Sequence, residues 1–179
     1  FSLYSQSYQY SRRDKPLIIN VPINLRNLYE SSTMRNFFAC VNLEFRPAAE
    51  NIPFRSFLEE AVRQLQEGQK TERLSEQMAR NVTAERNPAM RAVPLFLKNP
   101  VLNYMFLRNE KGQTSTVSNM GRITLPEELQ PFVRRLEVLV PATYSQNIKL
   151  GLVSCGDVLA CSFTSRIEET DVQRFFFRF

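Results

Sequence analysis

At 179 residues the chain is long enough to bury the core of one domain and too short for two independent ones. Hydrophobic residues at 43%, charged residues at 23%, Gly 5 and Pro 10 lie near globular averages and exclude collagen-like, low-complexity and disordered chains. The net charge of +5 comes from Arg and Lys interleaved with Glu between Arg55 and Arg91, the pattern of a solvated helix face. A nucleic-acid binder would gather its basic residues into a stripe, so no nucleic acid is expected as a partner. No apolar run approaches the roughly 20 residues that cross a bilayer, and no membrane span is expected. His is absent, which removes any His-based triad, dyad or zinc site within the chain.

Cys40, Cys155 and Cys161 are odd in number and lack the spacing of a zinc site or a disulfide framework. They fit a reducing, cytoplasmic setting. Cys155 lies in the turn sequence Ser154-Cys155-Gly156-Asp157 and could act as a nucleophile, but no base accompanies it, and incidental thiols are the better reading.

Residues 1–10 carry aromatic spacing without the basic start and apolar stretch of a signal peptide. Leu17, Ile19, Val21 and Ile23 alternate with Ile18, Asn20, Pro22 and Asn24, the period of a strand with one apolar face. Pro22 cannot donate to a ladder, which predicts a sheet edge or a bulge there. Residues 37–45 repeat the alternation, with Phe37, Ala39, Val41, Leu43 and Phe45 on one side. From Pro53 the period changes to that of a helix, with Phe54, Phe57, Leu58, Ala61, Val62 and Leu65 in one stripe and Gly68 as the stop. A second, outer helix begins at Thr71, places Leu74, Met78 and Val82 one turn apart, and ends before Asn87-Pro88. A short helix is predicted over residues 101–107, after Asn99-Pro100.

Strands follow at 114–119, 136–140, 148–153 and 158–163, the last two joined as a hairpin across Gly156-Asp157. Acidic residues at 168–171 suit the start of a final helix leading into the Phe cluster Phe175-Phe176-Phe177-Arg178-Phe179. That cluster has no helix-ending Gly or Asn, and the chain opens on Phe1, so both ends read as those of a fragment. The order predicts an α/β two-layer sandwich, a mixed β-sheet covered by helices, formed by a single unit over residues 1–179.

Two stretches do not read as ordinary core. Val21-Pro22-Ile23-Asn24-Leu25-Arg26 delivers Asn24 and Arg26 beyond the end of a strand, where an Arg can pair bidentately with a carboxylate or simply stand on the surface. Thr116-Val117-Ser118-Asn119-Met120-Gly121 sets small polar residues and a Gly inside a strand, a pattern for a ligand cleft or for a plain turn.

Taken in order, VPINLRNLYESSTMRNFFACVNLEF, RNVTAERNPAMRAVPLFLKNPVLNYMF, TVSNMGRITLPEEL and DVQRFFFRF resemble the C-terminal half of bacterial alcohol acetyltransferase-like proteins. These belong to the superfamily of chloramphenicol acetyltransferase-like enzymes and peptide-synthetase condensation domains. The resemblance runs from about Pro16 to the end and implies one of two α/β subdomains set in a V around a substrate tunnel. It implies transfer of an acyl group from a thioester, acyl-CoA as the donor substrate, to an alcohol or amine, with no tightly bound cofactor.

The superfamily's catalytic motif, His-His-x-x-x-Asp-Gly, belongs to the other subdomain, so no catalytic residue is expected here and the fragment should be inactive alone. An Arg in a Pro-x-x-x-Arg-like stretch pairs with the Asp of that motif, and Arg26, after Pro22 and Asn24, matches it. Asn24 and Arg26 are thus implied to support the active site, and Ser118, Asn119 and Gly121 to line the tunnel. The implied partners are the missing N-terminal subdomain and small-molecule donor and acceptor, with a homodimer or higher oligomer for the fragment. A non-catalytic relative of the same fold is the competing expectation.

Overall fold

Two strands of opposite direction carry the core. In β1 (Leu17–Asn24) and β2 (Phe38–Phe45), the residues Leu17, Ile19, Val21 and Ile23 lie opposite Phe45, Leu43, Val41 and Ala39. The period-two alternation therefore becomes one continuous apolar face. The computed structural model describes residues 1–9, 16–34, 36–46, 52–86, 88 and 92–178. Tyr10, Asn87, Arg91 and Phe179, which entered the sequence reading, lie outside them.

The remaining strands are β3 (Ser115–Ile123), β4 (Ile148–Cys155) and β5 (Val158–Ser165). Their order in the sheet is β2-β1-β3-β4-β5, with β1, β3 and β4 parallel and the two outer strands antiparallel to their neighbours. The chain is thus α/β with a five-stranded mixed sheet. The β4–β5 hairpin turns at Gly156-Asp157 as expected.

Helices pack on the apolar face. In α1 (Ser2–Gln9) Tyr4 is fully buried, and in α2 (Phe54–Gly68) Phe57 stacks on Phe45 with ring centroids 4.1 Å apart. Only part of the α2 stripe is covered: Phe57 is buried and Ala61 and Leu65 pack beside it, while Phe54, Leu58 and Val62 are exposed. On the same helix Gln64 accepts from the Glu44 N–H at 2.7 Å and donates to the Glu44 carbonyl at 2.8 Å, occupying part of the free edge of β2. The outer helix α3 (Thr71–Arg86) buries Leu74 against Leu25 and Ala39, half-buries Met78 and exposes Val82, as a narrow stripe requires.

The helix after α3 is longer than its sequence signals suggested. α4 (Leu95–Lys111) starts just after Pro94 and carries Pro100 within it, instead of beginning beyond that proline. Pro100 removes one backbone donor and does not end the helix. The chain closes with α5 (Asp171–Arg178), whose Phe176 and Phe177 meet Phe163 of β5 edge to face, while Phe175 approaches Phe1.

The predicted strand at 136–140 does not form. Leu136, Val138 and Val140 are half-buried and Glu137 and Leu139 exposed, so the alternation is real, but the segment pairs with no strand. It lies on the second face of the sheet, where the Val138 backbone abuts Gly151 and Thr164 donates to the Val140 carbonyl. Alternation reports one buried side, and packing on a sheet face produces it as well as pairing does.

The α2 surface carries the interleaved charges. Arg63 pairs with Glu60 at 2.6 Å and Glu67 at 2.9 Å, and Arg55 with Glu59 at 3.3 Å. Hydrogen bonds from Arg63 and then Gln64 hold the Glu60 carboxyl at about 2. An unfolded Glu titrates near about 4.3, so this support is complete above that value and is lost as pH falls toward about 2. A carboxyl NMR titration should give Glu60 a midpoint near 2, moving up toward the ordinary Glu range in Arg63→Gln; equal midpoints in the two proteins would remove the pairing as its cause.

Candidate functional site

β1 ends in a tight 3-10 turn, Leu25–Asn27, that fixes Arg26 locally. Leu25 is 2% exposed and anchors the turn in the core, and its N–H donates to the Phe37 carbonyl at 3.1 Å. Asn24 caps the turn: its Oδ1 accepts the Arg26 N–H at 3.1 Å. The Arg26 guanidinium donates from Nη2 to the Thr33 carbonyl at 3.0 Å, tying the turn to the loop before β2. Asn24 thus acts on Arg26 through the backbone.

Pro22 explains why this end of β1 stands open on one flank. The Glu44 N–H and C=O point outward to Gln64, and alternation from that position directs the missing donor of Pro22, paired with Cys40, away from β2. On that flank the β1–β3 ladder spans only Ile19–Ser115 and Asn20–Thr116. Pro22 therefore belongs to an interior strand but lies where one flank of that strand is locally an open edge, one of the two placements expected, and not at a bulge. The ladder has already ended where the donor is missing, so nothing is left unpaired.

β3 continues through Ser118-Asn119-x-Gly121 instead of stopping there. Its register against β4 shifts between Asn119 and Arg122, a β-bulge. Gly121 has φ +74, a conformation that side chains disfavour, and its N–H donates to Asn119 Oδ1 at 2.9 Å. Gly121 thereby shapes the bulge, and Ser118 and Asn119 turn toward the end of β1.

A cleft of about 420 Å3 results where the carboxyl end of β1 parts from the middle of β3, beyond their short parallel ladder. It brings Asn24 and Arg26 together with Ser118 and Asn119, two motifs far apart in sequence; Gly121 stays behind them in the bulge. Arg26 is the only ionised side chain among its described lining residues, which makes the cleft cationic. Crevices at the carboxyl ends of parallel strands are the usual ligand sites of α/β sheets. Comparison with protein families, curated proteins and solved structures finds no match for the chain.

The arrangement offers an anion-binding guanidinium, a hydroxyl and an amide beside apolar walls. Phe37 packs against Leu25, Ala39 and Leu74 as its place on the core face predicts, and also reaches the cleft, where the exposed Phe38 and Met120, missed in sequence, complete the apolar wall. The adjacent pair Phe37-Phe38 was a usable signal, because neighbouring strand residues point to opposite faces and one of two aromatics must leave the core. Cys40 is half-buried; burial pushes its thiol up, against a weaker opposite effect from the Asn20 hydrogen bond, so it is a poor nucleophile. Cys155 is buried at the end of β4, away from this cleft. Among the described residues no helix is long and apolar enough to cross a membrane.

Proposed function

We propose that the chain is the C-terminal half of a chloramphenicol acetyltransferase-like acyltransferase, moving an acyl group from a thioester, acyl-CoA first among donors, to an alcohol or amine. The observation that carries this reading is the meeting of Asn24 and Arg26 with Ser118 and Asn119 in one cleft. Arg26, oriented by Asn24 and Thr33, is a positioning residue: its planar fork suits a carboxylate of the His-bearing loop. Ser118 and Asn119 can then offer hydrogen bonds to the reacting carbonyl.

α4 supports a second subdomain as partner. Phe96, Val101, Leu102, Tyr104, Met105 and Phe106 are each more than half exposed, a surface larger than a solvated helix tolerates. Left alone, such a surface would drive the chain into homodimers or higher oligomers. The absence of His favours no activity from this chain by itself and also suits a non-catalytic relative.

Free-thiol release from acetyl-CoA, measured with a panel of alcohols and amines on the chain joined to its His-bearing half, separates the two. Acyl transfer predicts acceptor-dependent release, and Arg26→Ala should lower kcat about 10- to 100-fold with little change in the donor KM, as loss of a positioning partner does. Arg26→Lys should not restore it. Release that is unchanged in Arg26→Ala would remove Arg26 from the site, and no release with any acceptor would favour the non-catalytic relative.

A further inference from the structure

The bulge in β3 shapes a second cleft on its other side. It occupies about 590 Å3 between the end of β3, the loop after it and the β4–β5 turn, a volume within the range of ligand sites. We propose that this cleft binds a carboxylate carried on an apolar chain.

Two guanidinium groups supply the anion-binding end. Arg122 lines the cleft and donates from Nη2 to the Gly156 carbonyl at 2.9 Å, which uses one donor of its fork and leaves the others for a ligand. Arg134, an exposed residue on the rim of the same cleft, makes no ion pair or hydrogen bond with any described residue, unlike its neighbour Arg135, which pairs with Glu137 at 2.8 Å. A guanidinium in a cleft with its donors unused is disposed to take a carboxylate bidentately.

Charge and walls narrow the ligand. Asp157, on the turn, also lines the cleft and has no ion-pair partner among the described residues, so the two arginines and this carboxylate leave a net charge of one positive unit. That balance suits a monoanion and disfavours phosphate esters, which approach two negative charges at neutral pH. Ile123, Leu125, Val133 and Val158 supply apolar wall, enough to hold the chain of a short fatty acid. The site does not depend on acyl transfer, because its arginines lie outside the Arg26 cleft.

Calorimetric titration of the whole chain with octanoate, 1-octanol and inorganic phosphate tests the assignment. Octanoate should bind saturably and at least tenfold more tightly than 1-octanol, and phosphate should bind more weakly still. Arg134→Gln should weaken octanoate at least tenfold, leave 1-octanol binding unchanged and leave the thermal midpoint unchanged, since Arg134 supports no other group. Arg122→Gln should weaken octanoate as well. Absence of octanoate binding, equal affinity for 1-octanol, preference for phosphate, or an Arg134→Gln protein that binds octanoate as the parent does would each overturn the proposal.

Discussion

Phe57→Ala is expected to cost about 3–5 kcal/mol of folding stability, a large share of the roughly 5–15 kcal/mol available to a domain. Phe57 is the ring on which α1, α2 and β2 converge. It stacks on Phe45 at 4.1 Å and meets Phe1 and Tyr4 at centroid distances of 5.6 and 5.5 Å. Truncation leaves a cavity among these rings that Tyr4, already 1% exposed, has little freedom to refill. Phe54→Ala is the internal control: Phe54 sits one turn earlier on the same helix and is 39% exposed, so its loss should be well under half as large. Urea unfolding at constant m-value reads both. Equal losses at the two positions would mean that α2 presents a different face to the sheet.

Gly151→Ala is expected to destabilise the fold by about 3 kcal/mol, at or above the usual range for overpacking. A methyl group at this position would overlap the Val138 carbonyl oxygen and stand 2.9 Å from Val138 Cγ1. A side chain can rotate out of the way, but a carbonyl oxygen moves only if its segment moves. Residues 136–140 would have to lift from the second sheet face, loosening the contact between Thr164 and the Val140 carbonyl. The double variant Gly151→Ala with Val138→Ala separates the two contributions, because it removes the methyl overlap and keeps the backbone one. Most of the loss should persist in the double variant by urea unfolding, and full recovery there would assign the clash to the side chain alone.

The sequence was most legible where one periodicity led to one packing solution. β1 and β2 could be read from alternation because every second residue is apolar and their partner faces meet directly. The same reasoning misassigned residues 136–140, since a segment lying on a sheet face also shows one buried and one exposed side. α4 resisted for the opposite reason: it is apolar on all sides, so no stripe marks its face, and Pro100 looked like a start when Pro94 precedes the first turn. α1 was not expected as a helix, yet Tyr4 is buried in the core, where tertiary packing compensates for a short, polar sequence with no charged residues at its ends.

At the candidate site, the residue types and their local turns were legible in the sequence. Asn24 caps the turn that carries Arg26, and Asn119 accepts from Gly121, both within a few residues and therefore written in local chemistry. That the two stretches meet follows from the folded sheet and not from either stretch alone. Their proximity depends on β1 and β3 being parallel neighbours whose ladder stops at Asn20 and Thr116, and on a bulge that redirects the end of β3. Strand order and the length of a ladder arise from contacts between distant parts of the chain, which local propensity and periodicity do not encode.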